Sequence, residues 1–455
     1  MTSTGSPAVH SSEAAPAAPA ARVRRRGTLD AALRGRGALL GIAGVWLVTR
    51  AAMLWTLVHA VGHSANARVE VTMTYHNWYN VLVHWTMPQH DVMWQYPPAA
   101  AAVFLSPDLL PFLTYFQAFV ALTVLCDAVI LLGLLRAARR GDGSMAGAVL
   151  WLVALPLMMG TPFARYDIHV TLFAVFALLC MRHRPRLAGV VAGIGAMVKV
   201  WPLLTLLGTP RGRSTRDAVV AAALSCAALL AVFAVLFEDT LGFLGNQGNR
   251  GVQVESLGGS ALMAARLTHL WPGRTNFQYG AFEYVGPYVS VIARVSVGLT
   301  VAGFLLLLLW RVRADRWSSA TPFDAALCAM TVFTVTSRVI SPQYMIWLLG
   351  LAAVCLTSKH TTQRPVAWLL AVTTALTTLI FPVWYDTEIL TASTLGTVLL
   401  CTRNAMLLGA TVWSGVRLWK ATVLPKTAAQ PGASERPAAA AQPEASERPG
   451  AARAL

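Results

Sequence analysis

Charged residues are scarce in this sequence: Asp, Glu, Lys and Arg together make up 12% of its 455 residues. A soluble protein of ordinary composition carries about 25%, so a soluble globular fold is excluded. Apolar runs such as residues 38–58 and 217–237 reach the ~20 residues that a helix needs to cross a bilayer. Because a segment in lipid must satisfy its own backbone hydrogen bonds, these runs predict helices. The predicted fold class is an all-α polytopic membrane protein.

Several signatures of soluble chemistry are also missing. None of the six cysteines has a CxxC partner, which argues against a disulfide framework or a zinc site. The sequence contains no HExxH, GxSxG or Walker A string, and the single GIG at residues 193–195 follows no predicted strand. Nothing therefore suggests ATP hydrolysis or dinucleotide binding. Since no compact group of acidic or histidine residues is visible, we expect neither a metal nor a cofactor.

Acidic residues are outnumbered, with 20 Asp and Glu against 36 Lys and Arg, for a net charge of +16. The basic residues cluster in short loops between the apolar runs, in the strings RVRRRG, RAARR, RHRPR, RGRSTR and RVRADR. Cytoplasmic loops of membrane proteins carry such an excess of positive charge. The charge therefore indicates topology, and we expect no nucleic-acid partner.

The basic loops divide the chain into two tails and a membrane domain. Residues 1–36 and the Ala/Pro-rich residues 421–455 are predicted to be disordered and cytoplasmic. Between them, residues 37–420 should hold about 10–12 transmembrane or re-entrant helices, with long outer loops at about 62–111 and 238–288. The predicted spans are about 38–61, 112–135, 144–159, 168–181, 217–237, 289–310, 322–337, 342–357, 366–384 and 395–419.

One apolar segment, residues 187–208, conflicts with simple alternation because the stretches on both sides of it are basic. Pro202 interrupts any helix there, and residues 187–199 would give only about 18 Å of helix. We therefore expect a re-entrant hairpin with its tip near Lys199 and both ends inside. The alternative is an ordinary span that breaks the positive-inside rule.

The first outer loop has a helical pattern of its own. Tyr75, Trp78, Tyr79 and Leu82 recur at the i, i+3, i+4, i+7 spacing of a helix face. Since Trp and Tyr favour membrane interfaces, residues 72–85 are predicted to lie as a helix on the outer surface, either at a site or as a simple anchor.

Charged residues inside predicted spans, such as Arg50 and Asp127, are costly in lipid. They are functional candidates, with mutual ion pairing as the alternative.

Five strings in this order resemble the GT-C type of membrane glycosyltransferase, specifically glycosyltransferase family 87: VEVTMTYHNWYNVL, DVMWQYPP, PFARYDIHVTLF, AGVVAGIGAMVKVWPLL and SRVISPQYMIWLL. The resemblance covers about residues 38–420 and includes actinobacterial α-mannosyltransferases that use polyprenyl-phosphate-mannose. The SxQYxxWLL string is also similar to the mannosyltransferase of GPI-anchor synthesis. The resemblance implies transfer of a hexose, with mannose expected, from a polyprenyl-phosphate donor to a lipid or glycan acceptor, with inversion.

The resemblance also implies site residues. The family's catalytic Asp, early in the first outer loop and ahead of a Tyr, matches Glu70, which departs from it by one methylene. Asp91 is the alternative base. Arg338 stands where the family has a Lys before its SPQY-like turn. The residues expected to bind substrate or phosphate are Tyr75, Tyr96, Arg165, Asp167, Lys199, Arg250, Arg338, Gln343 and Tyr344.

The expected location is the plasma membrane, with both termini cytoplasmic and the active site on the outer face. A transporter or flippase of a polyprenyl-linked or other envelope lipid is the second hypothesis, because charges inside spans also mark transport paths. Transporters often carry paired broken helices in two repeats. The sequence holds no second copy of the broken AMVKVWPLL segment.

Overall fold

The structure is a computed structural model that describes residues 35–59, 64–141, 143–248 and 250–423. The two predicted tails therefore lie almost wholly outside the described residues. Helix bounds in the first half are α1 Arg36–Val58, α2 Ser64–Val69, α3 His76–Leu82, α4 Ala100–Leu105, α5 Tyr115–Ala138, α6 Ala146–Ala154, α7 Asp167–Met181, α8 Pro185–Val198 and α9 Arg213–Leu236. A π-helical turn, Glu70–Tyr75, joins α2 to α3, and 3₁₀ turns lie at Ser106–Leu109, Leu155–Met158, Thr161–Ala164 and Trp201–Leu206.

The second half adds a small sheet to the helices. Its helices are α10 Phe243–Gly248, α11 Leu257–Leu267, α12 Val289–Arg313, α13 Thr321–Thr336, α14 Tyr344–Leu356, α15 Arg364–Thr378 and α16 Thr394–Thr422. π-helical turns lie at Leu379–Val383 and Tyr385–Ile389. The strands, β1 Val252–Gln253, β2 Arg274–Gln278 and β3 Ala281–Val285, form an antiparallel sheet in the order β1–β3–β2 within the second long loop.

Among the described residues, six helices are long and apolar enough to cross a bilayer: Gly37–Val58, Tyr115–Ala138, Arg213–Leu236, Val289–Arg313, Arg364–Val383 and Thr394–Thr422. Shorter apolar helices pack among them. Most central is α14, which is buried from Met345 to Leu356, because a helix that is apolar on every side must be covered on every side. The predicted all-α polytopic membrane protein is confirmed. The apolar helix Ala100–Leu109 was not predicted and lies inside the predicted first outer loop.

The predicted hairpin around Lys199 is confirmed by the packing of α8 against α9. Gly189 faces Ala218 and Gly193 faces Ala222, so the two helices run in the same direction, and a side chain at either glycine would overlap the backbone of α9. The chain must therefore return between them. It does so after Val198, where the ring of Pro202 would clash with the carbonyl of residue 198 in a continuous helix.

Both basic stretches consequently lie at one end of the bundle. Arg186 at the start of α8 pairs with Asp217 at the start of α9, at 3.3 Å. The alternative of a single ordinary span, which would have placed these stretches at opposite ends, is wrong.

The predicted helix of the first outer loop is present as the continuous helical segment 64–82, which begins and ends earlier than the predicted 72–85. The segment packs on the bundle, since Tyr75, Trp78 and Leu82 are buried. The hydroxyl of Tyr79, at the edge of this face, donates a hydrogen bond to Asp108 at 2.8 Å. The prediction that Tyr75, Trp78 and Leu82 share one face of a helix is confirmed. They face protein, because the rings of Phe104 and Phe119 lie within aromatic contact of Tyr75.

The charges inside α1 and α5 form a buried ion pair. Arg50 donates through Nε to one oxygen of Asp127 at 2.8 Å and through Nη2 to the other at 2.9 Å. The indoles of Trp46 and Trp151 each donate to the same carboxylate at 2.7 Å, and Arg50 Nη1 reaches the carbonyl of Leu152 at 3.0 Å. The pair thus joins α1, α5 and α6, which is the structural role that the alternative reading gave it.

We expect the Asp127→Leu variant to lose about 3–5 kcal/mol of stability, because it leaves Arg50 buried without its anion. Thermal unfolding of the purified protein in nanodiscs measures the loss. The Arg50→Met/Asp127→Leu double variant is the matched control and should recover part of it, since it removes both charges. A single variant that melts like the wild type would contradict this assignment.

Candidate functional site

One cavity of about 780 Å³ lies where the two long loops meet the apolar helices. Its walls come from the helical segment 64–82, the break after α8, the sheet of the second loop and the turn between α13 and α14. Eight of the eleven predicted site residues line it: Glu70, Tyr96, Arg165, Lys199, Arg250, Arg338, Gln343 and Tyr344. The fold therefore gathers into one cavity side chains that the sequence spreads over about 270 positions.

Glu70 reaches the cavity from the junction of α2 with the π-helical turn. Glu70, Thr74 and Trp78, four residues apart, share one side of the segment and line the cavity. The carboxylate forms an ion pair with Arg165, and the two side chains are 20% and 12% exposed, respectively. Burial and the charge of Glu70 raise the pKa of Tyr96 above its usual range. Tyr96 therefore lines the cavity as a neutral phenol.

Lys199 stands at the tip of the hairpin, where the backbone is extended. Its Nζ donates to Asp167 Oδ1 at 2.8 Å, and the same oxygen accepts from the indole of Trp347 at 2.7 Å. The ammonium also lies 4.5 Å from the ring centroid of Trp347 and 4.7 Å from that of Tyr166. An ion pair and aromatic faces together stabilise a cation away from water. Asp167 thus supports Lys199 from behind the cavity wall.

Two further guanidinium groups, those of Arg250 and Arg338, line another part of the wall. Arg250 pairs with the buried Glu283 at 3.2 Å and donates to the amide of Gln95 at 3.3 Å. Burial and the neighbouring charge of Arg250 lower the pKa of Arg338, while the charge of Glu283 acts in the opposite direction. The positive charge of these two groups makes this part of the cavity suited to an anion.

Two other predicted residues lie away from the cavity. Asp91 accepts hydrogen bonds from the indole of Trp78 at 2.7 Å and from the backbone N–H of Met93 at 2.8 Å. Its carboxylate thus holds the turn that follows the helix and does not line the cavity. Tyr75 is fully enclosed, with its ring edge-on to Tyr166. Both residues shape the wall from behind.

Gln253 and Glu255 are among the polar lining residues that were not predicted from the sequence. Glu255 is 1% exposed and accepts from Arg403 Nη2 of α16 at 2.9 Å. Burial raises the pKa of Glu255, and Arg403 opposes that shift. The sequence does contain an indication of this pair, because Arg403 lies inside a predicted span, and a charged residue there is a functional candidate. The identity of its partner could be read only from the fold.

Among the described residues, no three His, Cys, Asp or Glu side chains are grouped closely enough to hold a metal ion. The polar lining of the cavity consists instead of carboxylates, guanidinium groups, an ammonium group, amides and phenols. Such a lining can bind anionic and hydroxyl groups and can accept a proton.

Comparison with known proteins identifies a family. Neither a curated protein nor a solved structure matches the chain. The model of glycosyltransferase family 87 matches residues 94–342, which is just over half of the chain. The matched range contains Tyr96, Arg165, Lys199, Arg250 and Arg338, whereas Glu70 lies upstream of it. With a polytopic helical fold and a charged cavity between its loops, the chain belongs to glycosyltransferase family 87 and is a membrane glycosyltransferase.

Proposed function

We propose that the chain transfers a hexose, with mannose expected from the resemblance, from a polyprenyl-phosphate donor to a lipid or glycan acceptor. The observation that carries the proposal is the cavity itself, in which the carboxylate of Glu70 lies among four cationic side chains. A sugar phosphate needs cations for its leaving group, and an acceptor hydroxyl needs a base. The cavity offers both, and the family supports sugar transfer over the alternative of a transporter.

The donor phosphate is proposed to bind at Arg250 and Arg338. Arg165 and Lys199 each contact a carboxylate of their own, Glu70 and Asp167. Arg250 likewise contacts Glu283, and its charge also disfavours the charged form of Arg338, which is an effect of repulsion between the two guanidinium groups. An entering phosphate would relieve that repulsion, and two guanidinium groups suit its geometry. Lys199 and Arg165 then contribute to the positive field as the leaving group gains charge.

Glu70 is proposed as the general base. Its carboxylate takes the proton of the acceptor hydroxyl, whose oxygen bonds to the anomeric carbon of the donor. The bond from that carbon to the phosphate oxygen breaks, and the polyprenyl phosphate leaves with the electron pair. A single displacement inverts the anomeric centre, so a β-linked donor gives an α product, and one base suffices. Arg165 holds the carboxylate in position.

The reaction is proposed to take place on the outer face of the plasma membrane. Support comes from the two basic stretches beside the hairpin, which share one end of the bundle. Cytoplasmic loops carry such charge, which would put that end, and by sequence alternation both termini, inside. The two long loops that build the cavity contain few basic clusters. We therefore assign them to the outer side.

The Glu70→Gln variant should lose at least about 100-fold in turnover, because general-base catalysis contributes on the order of 10²–10⁴-fold. Transfer of labelled sugar from polyprenyl-phosphate-mannose to lipid acceptors in membranes provides the measurement, with protein insertion checked in parallel. Because the variant also frees Arg165, donor affinity is measured separately. A loss confined to donor affinity would mean that Glu70 only holds Arg165.

The Asp91→Asn variant is the matched comparison, since it makes the same change from acid to amide in the same loop. Its side-chain oxygen can still accept one of the two hydrogen bonds, so turnover should stay within a few-fold of the wild type. If Asp91→Asn were inactive and Glu70→Gln active, the roles of the two carboxylates would have to be exchanged.

Replacing Arg250 or Arg338 by Gln should weaken donor binding by about 10- to 100-fold, as expected for the loss of a charged hydrogen bond to phosphate. The dissociation constant of polyprenyl-phosphate-mannose for the purified protein is the readout. Arg274→Gln changes an exposed arginine in the loop that also carries Arg250, and it serves as the control for lost charge. Equal effects of all three variants would point to general electrostatics instead of a phosphate site.

A further inference from the structure

Gln253 lines the cavity from the short strand β1. Its backbone N–H donates to the carbonyl of Arg338 at 3.0 Å, which fixes the strand against the turn that carries this arginine. The side chain is 3% exposed, and its Oε1 receives no hydrogen bond from any described residue. A buried amide oxygen without a donor is costly in an unliganded protein. Its position indicates that a ligand supplies the missing donor.

Glu255 lines the same part of the cavity two residues later. Within the described chain, only Arg403 donates to its carboxylate, and it does so at Oε2. Arg403 and Asn404 also donate to the backbone carbonyl of residue 255, at 3.2 and 3.1 Å. Side chains of α16 thus fix both the carboxylate and the backbone carbonyl of Glu255. The carboxylate is rigidly placed and keeps the hydrogen-bonding capacity of its other oxygen.

Aromatic side chains complete this part of the lining. Tyr385 is 6% exposed and lies beside Phe282, with the ring centroids 6.1 Å apart. An amide accepts and donates, a carboxylate accepts, and an aromatic face packs against C–H groups. A sugar ring offers the complementary groups, since it combines hydroxyls with an apolar C–H face. This wall therefore fits a polyhydroxylated ring better than a lipid chain.

The wall adjoins the proposed phosphate site. Arg250 precedes Gln253 by three residues, and Arg338 shares a backbone hydrogen bond with Gln253. In a glycosyl phosphate, a single bridging oxygen connects the ring to phosphorus, so a phosphate held by the arginines brings its own sugar next to this wall. We infer that Gln253 and Glu255 are specificity-determining residues that bind the non-reacting hydroxyls of the donor sugar.

This inference rests on the proposed function and adds to it the residues that select the sugar. A site built to hydrogen-bond a hydroxyl rejects an analogue that lacks it, because the buried polar group of the protein is then left unpaired. Gln253 and Glu255 meet that condition, since both are almost completely buried. Discrimination between hexoses should therefore depend on them, whereas affinity for the phosphate should depend on Arg250 and Arg338.

The test pairs protein variants with donor analogues. The probes are polyprenyl-phosphate-mannose and its 2-, 3-, 4- and 6-deoxy forms, and the readout is the dissociation constant of each for the purified full-length protein in nanodiscs. Such a measurement needs no acceptor. The wild type should bind at least one deoxy form about 10-fold or more weakly than the parent. In Gln253→Leu or Glu255→Gln, that ratio should fall toward one.

The choice of variants keeps the test interpretable. Gln253→Leu breaks no ion pair, and Glu255→Gln retains an oxygen that can accept from Arg403. Glu238→Gln, an exposed acid at the start of the same loop, is the matched control and should leave every ratio unchanged. Binding of the parent donor that weakens only toward the level of the deoxy form, at a reduced ratio, separates sugar recognition from a general loss of folding.

Failure of this inference can be told apart from failure of the proposed function. If the wild type binds no polyprenyl-phosphate-mannose, both are overturned. If the wild type binds it but treats all deoxy forms alike, or if the ratios survive in both variants, only the assignment of Gln253 and Glu255 is overturned.

Discussion

The ion pair between Lys199 and Asp167 is the interaction on which the shape of the cavity depends. A lysine within an apolar bundle is costly unless it is paired, and here a carboxylate at 2.8 Å and the rings of Tyr166 and Trp347 surround it. The chain can therefore break after Val198 and turn back. Because it turns back there, both basic stretches meet at one end and the tip of the hairpin becomes part of the cavity wall.

The same constraint connects the loops to the helices. Glu70 pairs with Arg165 and Glu255 with Arg403, and both pairs join elements that are far apart in the sequence, whereas Glu283 pairs with Arg250 inside the second loop. Buried ion pairs often contribute little net stability, since desolvation offsets the attraction, but losing one partner is costly. Their effect here is geometric. They help to fix the two long loops around one charged cavity.

The carboxylates around the cavity differ in whether they line it or lie behind its wall. Asp167 and Glu283 are fully enclosed and support a lysine and an arginine from behind the wall, whereas Glu70 and Glu255 line the cavity. Four acids of similar chemistry thus divide into two that lie behind the cavity wall and two that line the cavity. This division follows from the side of the cavity wall on which each carboxylate lies, since Asp167 and Glu255 are equally buried.

From the sequence alone, the long apolar helices, the hairpin and the membrane class could be predicted, because apolar periodicity and proline act over a few neighbouring residues. The helix Ala100–Leu109 and the small sheet were not predicted, because they lie inside segments that the sequence pattern assigned to loops. The sequence also named eight of the residues that line the cavity. Only the tertiary structure showed that Asp91 holds a turn, that Lys199 is paired with Asp167, and that Glu255 meets Arg403 from 148 residues away. Pairing across such separations depends on how helices pack, and no local pattern in one sequence records it.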